Sequence, residues 1–193
     1  MKKITVMTLI LIMMLSLAAC AISNDEIYAK VGESQICYSE FRFHRILLDK
    51  EANSYEDGDF VNLSVATDEA IMFGLITREM EYQYADSINV VLDTEKLDSD
   101  FENYLNVLLD IEAFVNAKND YMKEFGLDEK GFKDFFKKKY VKDIYAAEGK
   151  NLFVQEYLTQ YPDECEHDAG FAYDSMIISE LNRIGVEQIY PKR

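Results

Sequence analysis

A mainly α-helical domain is what this sequence predicts, and three observations predict it. The chain of 193 residues has only 8 Gly and 2 Pro, too few turn-formers for a sandwich or barrel of many short strands. Glu, Lys, Leu and Ala are plentiful and favour helix. Apolar residues recur three and four positions apart through most of the chain, which is the spacing of one helix face. The fold expected is about five helices, with a small β-sheet formed by an N-terminal hairpin and a C-terminal strand.

The first nineteen residues read as a secretory signal. Lys2 and Lys3 precede an apolar run from Ile4 to Leu15, which closes on Leu17-Ala18-Ala19-Cys20. The run is short of the ~20 residues that span a bilayer comfortably. Its last four residues are similar to the lipobox of bacterial lipoproteins, which makes Cys20 the lipidated first residue of the mature chain and a membrane anchor. Residues 20–26 then form a tether, and residues 27–193 one domain.

Ile27 to Val31 and Gln35 to Cys37 read as two strands around Gly32-Glu33. Ser39 caps a first helix, Glu40 to Ala52, with Tyr38 and Phe43 as its staple and Phe41, Phe43, His44, Leu47 and Leu48 on one side. A polar loop, Asn53 to Val65, follows. Thr67 caps a second helix that runs to about Ile88, apolar nearly all round and hence central, and Asn89 ends it in the left-handed region. Asp93 caps a third helix, with Leu97, Phe101, Tyr104, Leu108, Ile111, Val115, Met122 and Phe125 as a heptad seam broken only by Lys118. Unbroken from Thr94 to Glu124, it would be ~45 Å long. Gly126 stops it, Asp128 caps the fourth helix, and Leu127 and Phe132 form a staple. The fourth helix carries Phe132, Phe135, Phe136, Tyr140 and Ile144, with a kink expected at Gly149 before Phe153, Val154 and Tyr157. Pro162 to Gly170 is a loop, Phe171 to Ile184 the last helix, and Val186 to Tyr190 a strand that joins the hairpin.

Charge narrows the function. The formal net charge is −16, and loss of Lys2 and Lys3 with the signal makes it −18, which excludes nucleic acid as a natural partner. With 13 Tyr and 12 Phe, acidity does not mean disorder. Cys37 and Cys165 remain after lipidation of Cys20. They could close a disulfide in an oxidising compartment, or stay as two partly buried free thiols. Cys37, His44, Cys165 and His167 would make a four-ligand zinc set, but neither half has the short cysteine pair of structural zinc sites, so no metal and no cofactor is expected. There is no nucleophile elbow, phosphate loop or H-E-x-x-H, and so no catalytic residue is named. Lys133, Lys137, Lys138, Lys139 and Lys142 form the one basic run, which a lipid-anchored domain could turn towards anionic headgroups.

Leu75-Ile76-Thr77-Arg78-Glu79-Met80-Glu81-Tyr82-Gln83-Tyr84-Ala85, then Ile88-Asn89-Val90 and Asp93-Thr94-Glu95-Lys96-Leu97, resembles the "L-I-x-R-x-L…A…G-I-x-V-S-D-E-E-L" signature of SurA N-terminal-like chaperone domains. PrsA foldase lipoproteins and the trigger-factor peptide-binding region share that helical architecture. Ala29 to Glu33 with Ile36 to Phe41, Gly126 to Glu129 with Phe132, and Ile184 to Tyr190 are similar to the family's opening, middle and closing motifs, in order. Asn89 stands where the family has Gly. Between the fourth and last helices, only Asn151 to Gly170 stands where PrsA-type members carry a parvulin prolyl isomerase. The resemblance implies an extracytoplasmic, lipid-anchored chaperone or holdase that binds unfolded or exported polypeptides and has no isomerase module, so it is not expected to be an enzyme. The alternative is an accessory or scaffold lipoprotein docked on one envelope or spore-associated partner. No peptide-binding residue is assigned from sequence.

Overall fold

The structure is a computed structural model that describes residues 26–54 and 67–188. The signal, Cys20 and most of the Asn53–Val65 loop lie outside the described residues. The chain folds as β1 (Ile27–Val31), β2 (Ser34–Cys37), α1 (Tyr38–Ser54), α2 (Asp68–Ser87), α3 (Thr94–Leu109), α4 (Glu112–Phe125), α5 (Glu129–Gln160), α6 (Glu166–Ile184) and β3 (Val186–Gln188). The class is mainly α with a small sheet. Antiparallel pairing in the order β2-β1-β3 brings the end of the domain back to its start, as the alternating Val186 to Tyr190 pattern suggests.

Local chemistry sets most boundaries where the sequence puts them. Thr67 Oγ1 accepts the Ala70 amide at 3.2 Å and Asp128 Oδ1 the Gly131 amide at 2.7 Å. Asp93 Oδ1 accepts from Glu95 and Lys96 at 3.1 Å each. Each pairing satisfies an amide that the first helical turn leaves without a partner. Asn89 and Gly126 take the left-handed conformation (φ 55° and 64°) that turns the chain out of a helix.

Among the described residues six helices stand where about five were expected, because the long third helix is broken. Leu108 and Leu109 end α3, Ile111 is extended (φ −96°, ψ 113°), and α4 restarts at Glu112. The break shifts the phase of the seam. Phe101 and Leu105 are buried on α3, and Phe114, Ala117 and Tyr121 on α4, whereas Tyr104 and Ile111 are exposed. Folding back lets both segments enter one aromatic cluster, where a straight ~45 Å rod would leave half its seam in water.

Other expectations change as well. β2 runs directly into α1, so Ser39 lies inside the helix, and Glu40 Oε2 reaches back to the Cys37 amide at 3.1 Å. Tyr38 packs on Tyr28, Phe41 and Phe125, not on Phe43. α2 is not buried all round, since Phe73 faces solvent. α5 continues through Gly149 as one helix of 32 residues. α6 begins five residues earlier than expected, at Glu166, behind a Cys165–Asp168 capping box. Cys165 is a free, exposed thiol whose Sγ donates to Asp168 Oδ2 at 3.0 Å, while Cys37 is fully buried at the end of β2. The Cys37–Cys165 bridge is therefore not formed, because Cys165 keeps a free thiol turned to its own helix end.

Two apolar clusters result. The first joins the sheet, Phe41, α2 and α6 through Val31, Ile36, Met72, Ile76, Tyr173 and Ile177. The second joins α1, α3, α4 and the first half of α5 around Phe43. Phe43 lies 5.4–6.3 Å, centroid to centroid, from Phe114, Tyr121, Phe132, Phe135 and Phe136. α1 serves both, with Phe41 and Leu48 turned to the first cluster and Phe43, Ile46 and Leu47 to the second. The single apolar side expected of this helix is thus two.

Candidate functional site

One set of residues that could meet a ligand lies along the pair α2–α5; a second groove, of about 440 Å³ and lined by Arg42, Asp49, Lys50, Asp120 and Glu124, lies between α1 and α4. Helices α2 and α5 run parallel, as Glu79 meets Lys142 at 2.7 Å, Tyr82 meets Tyr145 with rings 5.4 Å apart, and Ala85 meets Gly149. A Cβ built on Gly149 would stand 2.7 Å from the Ala85 Cβ, so glycine is what allows the backbones to touch.

N-terminal to that contact lies a charged seam. Glu79 is 5% exposed and pairs with Lys142, Arg78 reaches Asp143 at 3.3 Å and Glu81 at 2.9 Å, and Lys139 reaches Asp143 at 2.7 Å. Burial pulls the Lys142 pKa down, but Glu79, Glu40 and the hydrogen bond to Glu79 outweigh it, and the net shift is upward. His44, half-buried on α1, has its pKa lowered to about 4, chiefly by burial and then by Lys139, against a smaller pull from Asp143. The carboxylates of this seam are held by cations, so it clamps α2 to α5 and leaves no open acid–base pair.

C-terminal to the contact the surface changes character. A groove of about 420 Å³ is lined by Tyr84 and Ile88 from the end of α2 and by Leu152, Phe153, Glu156 and Thr159 from α5. Ile88 and Leu152 are each more than a third exposed. Phe153 continues into a ladder of rings, Tyr157 at 6.1 Å and then Tyr161 at 4.8 Å. Tyr157 Oη donates to Glu164 at 2.5 Å, and that bond, more than burial, pushes its pKa up to about 12.

The structure does not bring the suggested zinc ligands together. Cys37 and His44 lie on β2 and α1, and Cys165 and His167 on the exposed start of α6. Among the described residues no group of three His, Cys, Asp or Glu could hold a metal ion. Four lysines of the basic run are ion-paired, mostly at the surface. Lys133 pairs with Glu102, Lys137 with Asp98, Lys139 with Asp143 and Lys142 with Glu79. No described helix is long and apolar enough to cross a membrane.

Sequence reasoning assigned no groove residue. Ile88 and Leu152 carried a signal all the same: each is an aliphatic residue beside, not on, the core spacing of its helix, Ile88 next to left-handed Asn89 and Leu152 next to Phe153. Comparisons with protein-family models, curated proteins and solved structures returned no match.

Proposed function

We propose that this chain is a lipid-anchored, extracytoplasmic, holdase-like protein that binds unfolded or exported polypeptides and has no isomerase module of its own. The observation that carries the reading is the groove beyond the Ala85–Gly149 contact, with Ile88 and Leu152 exposed beside Tyr84, Phe153 and the tyrosine ladder. Exposed apolar side chains gathered in a concave site bind other apolar surface, and surrounding negative charge keeps the empty site soluble. The SurA- and PrsA-like motifs point the same way, and Cys20 would hold such a site at the membrane.

A second reading, docking on one fixed partner, is favoured by the α3–α4 turn, where Tyr104, Val107, Leu109 and Ile111 are all exposed, Val107 by 64%. Aggregation assays separate the two. The full chain, held in phosphatidylcholine nanodiscs, should slow aggregation of several unrelated chemically unfolded proteins at severalfold excess, and should leave proline isomerisation of a test peptide at the uncatalysed rate. No suppression for any of them would remove the holdase reading in favour of a dedicated partner, and a clear isomerisation rate would overturn the missing module.

A further inference from the structure

Charge is unevenly matched over this molecule. Around α3 and the first half of α5 lysines and carboxylates alternate and several pair, Lys96 with Asp100, Lys133 with Glu102, Lys137 with Asp98 and Lys139 with Asp143. The groove end is different. From Ala146 to Asn182 the chain carries eight carboxylates and one lysine, Lys150. Lys150 is taken by Asp174, and Glu180 by Arg183. Glu148, Glu156, Asp163, Glu164, Glu166 and Asp168 have no ion-pair partner among the described residues. Glu156 lines the groove, and Glu164 is held at its aromatic ladder by Tyr157. Like charges left together in this way repel one another, and a cationic guest relieves that repulsion.

Resting on the polypeptide-binding reading, we infer that the groove between the end of α2 and the second half of α5 selects cationic apolar segments: extended peptide carrying Leu or Phe side chains with Lys or Arg beside them. The aliphatic side chains lie against Ile88, Leu152 and Phe153, and the cations meet Glu156 and Glu164 at the rim. A neutral apolar segment gains only the first set of contacts. An acidic one gains those and meets the unmatched carboxylates.

The test uses three synthetic peptides sharing one Leu/Phe/Ser core, flanked by three Lys, three Ser or three Glu, with binding to the full chain in phosphatidylcholine nanodiscs followed by fluorescence anisotropy. At low salt the Lys-flanked peptide should bind about tenfold tighter than the Ser-flanked one, since several exposed pairs add, and the Glu-flanked one should bind weakest. The differences should close in 0.5 M salt. Glu156→Lys should bring the Lys-flanked peptide down towards the Ser-flanked level. Glu112→Lys, the same change of net charge on a remote exposed helix start, should leave most of the preference in place. Leu152→Ser should weaken all three peptides. Equal low-salt affinity for the three overturns the charge selection while leaving polypeptide binding standing. Equal losses from Glu156→Lys and Glu112→Lys, or binding unaltered by Leu152→Ser, overturns the groove as the site. Failure of all three to bind overturns this inference and the holdase reading together.

Discussion

Gly149 shows how one missing side chain can set the position of two helices. Glycine inside a helix costs about 1 kcal/mol relative to alanine, so its place in α5 needs a compensating contact, and the Ala85 backbone supplies it: a Cβ there would lie 3.1 Å from the Ala85 Cα. Gly149→Ala should therefore destabilise, by about 1–3 kcal/mol as overpacking does, despite its better helix propensity. Adding Ala85→Gly removes the opposing methyl and should restore part of the loss. Gly74, with nothing within 4 Å of its added Cβ in the interior of α2, should respond the other way, Gly74→Ala gaining up to about 1 kcal/mol. Urea unfolding midpoints of the three variants against the parent chain check this, and a stabilising Gly149→Ala would mean that the helices are free to separate.

At the scale of elements, the joint between α4 and α5 is made by a partly hidden charge. Lys118 is buried with its ammonium 2.7 and 2.8 Å from Glu129, which is mostly exposed in the first turn of α5. Removing only the exposed partner leaves the buried cation uncompensated, whereas removing the cation itself leaves an ordinary surface carboxylate. Glu129→Gln should cost about 1–2 kcal/mol, and Lys118→Met less than about 1 kcal/mol, because methionine fills the same channel without a charge. Glu95→Gln, in the first turn of α3, reports the helix-dipole contribution alone. A Glu129→Gln loss no larger than the Glu95→Gln loss would show that Lys118 finds solvent without its partner.

Across the whole molecule, acid should loosen the seam between the two clusters. His44 stands on α1, the helix shared by both, facing Lys139 and Asp143 of α5, and its pKa falls from 6.5 to about 4. Above pH 6.5 the ring is neutral folded or unfolded, and its contribution is fully present. Between about pH 6.5 and 4 the unfolded chain binds a proton that the folded one refuses. Stability falls through that window by up to about 3 kcal/mol and levels off below it. His44→Gln should flatten this part of the stability curve, measured by urea unfolding from pH 7.5 to 4, while the carboxylate contributions at lower pH remain. Parallel curves for both proteins would place the histidine in water.

The sequence by itself determined the helical class, the hairpin and returning strand, and the caps at Thr67, Asp93 and Asp128 with the left-handed exits at Asn89 and Gly126. Each of these depends on a side chain and a backbone amide or φ angle within a few residues, so its energy is local. Tertiary structure alone decided what depends on neighbours distant in sequence. The heptad run from Leu97 to Phe125 was compatible with a rod, and only the aromatic cluster around Phe43 decides that it breaks at Asp110-Ile111 and turns Phe114 and Tyr121 inward. Gly149 looked like a kink until Ala85 lay against it, and the acids from α2 and α3 that pair with the lysine run come from distant parts of the sequence. The groove belongs to the same class. Ile88 and Leu152 are 64 residues apart and become neighbours only because glycine lets α2 and α5 touch just before them.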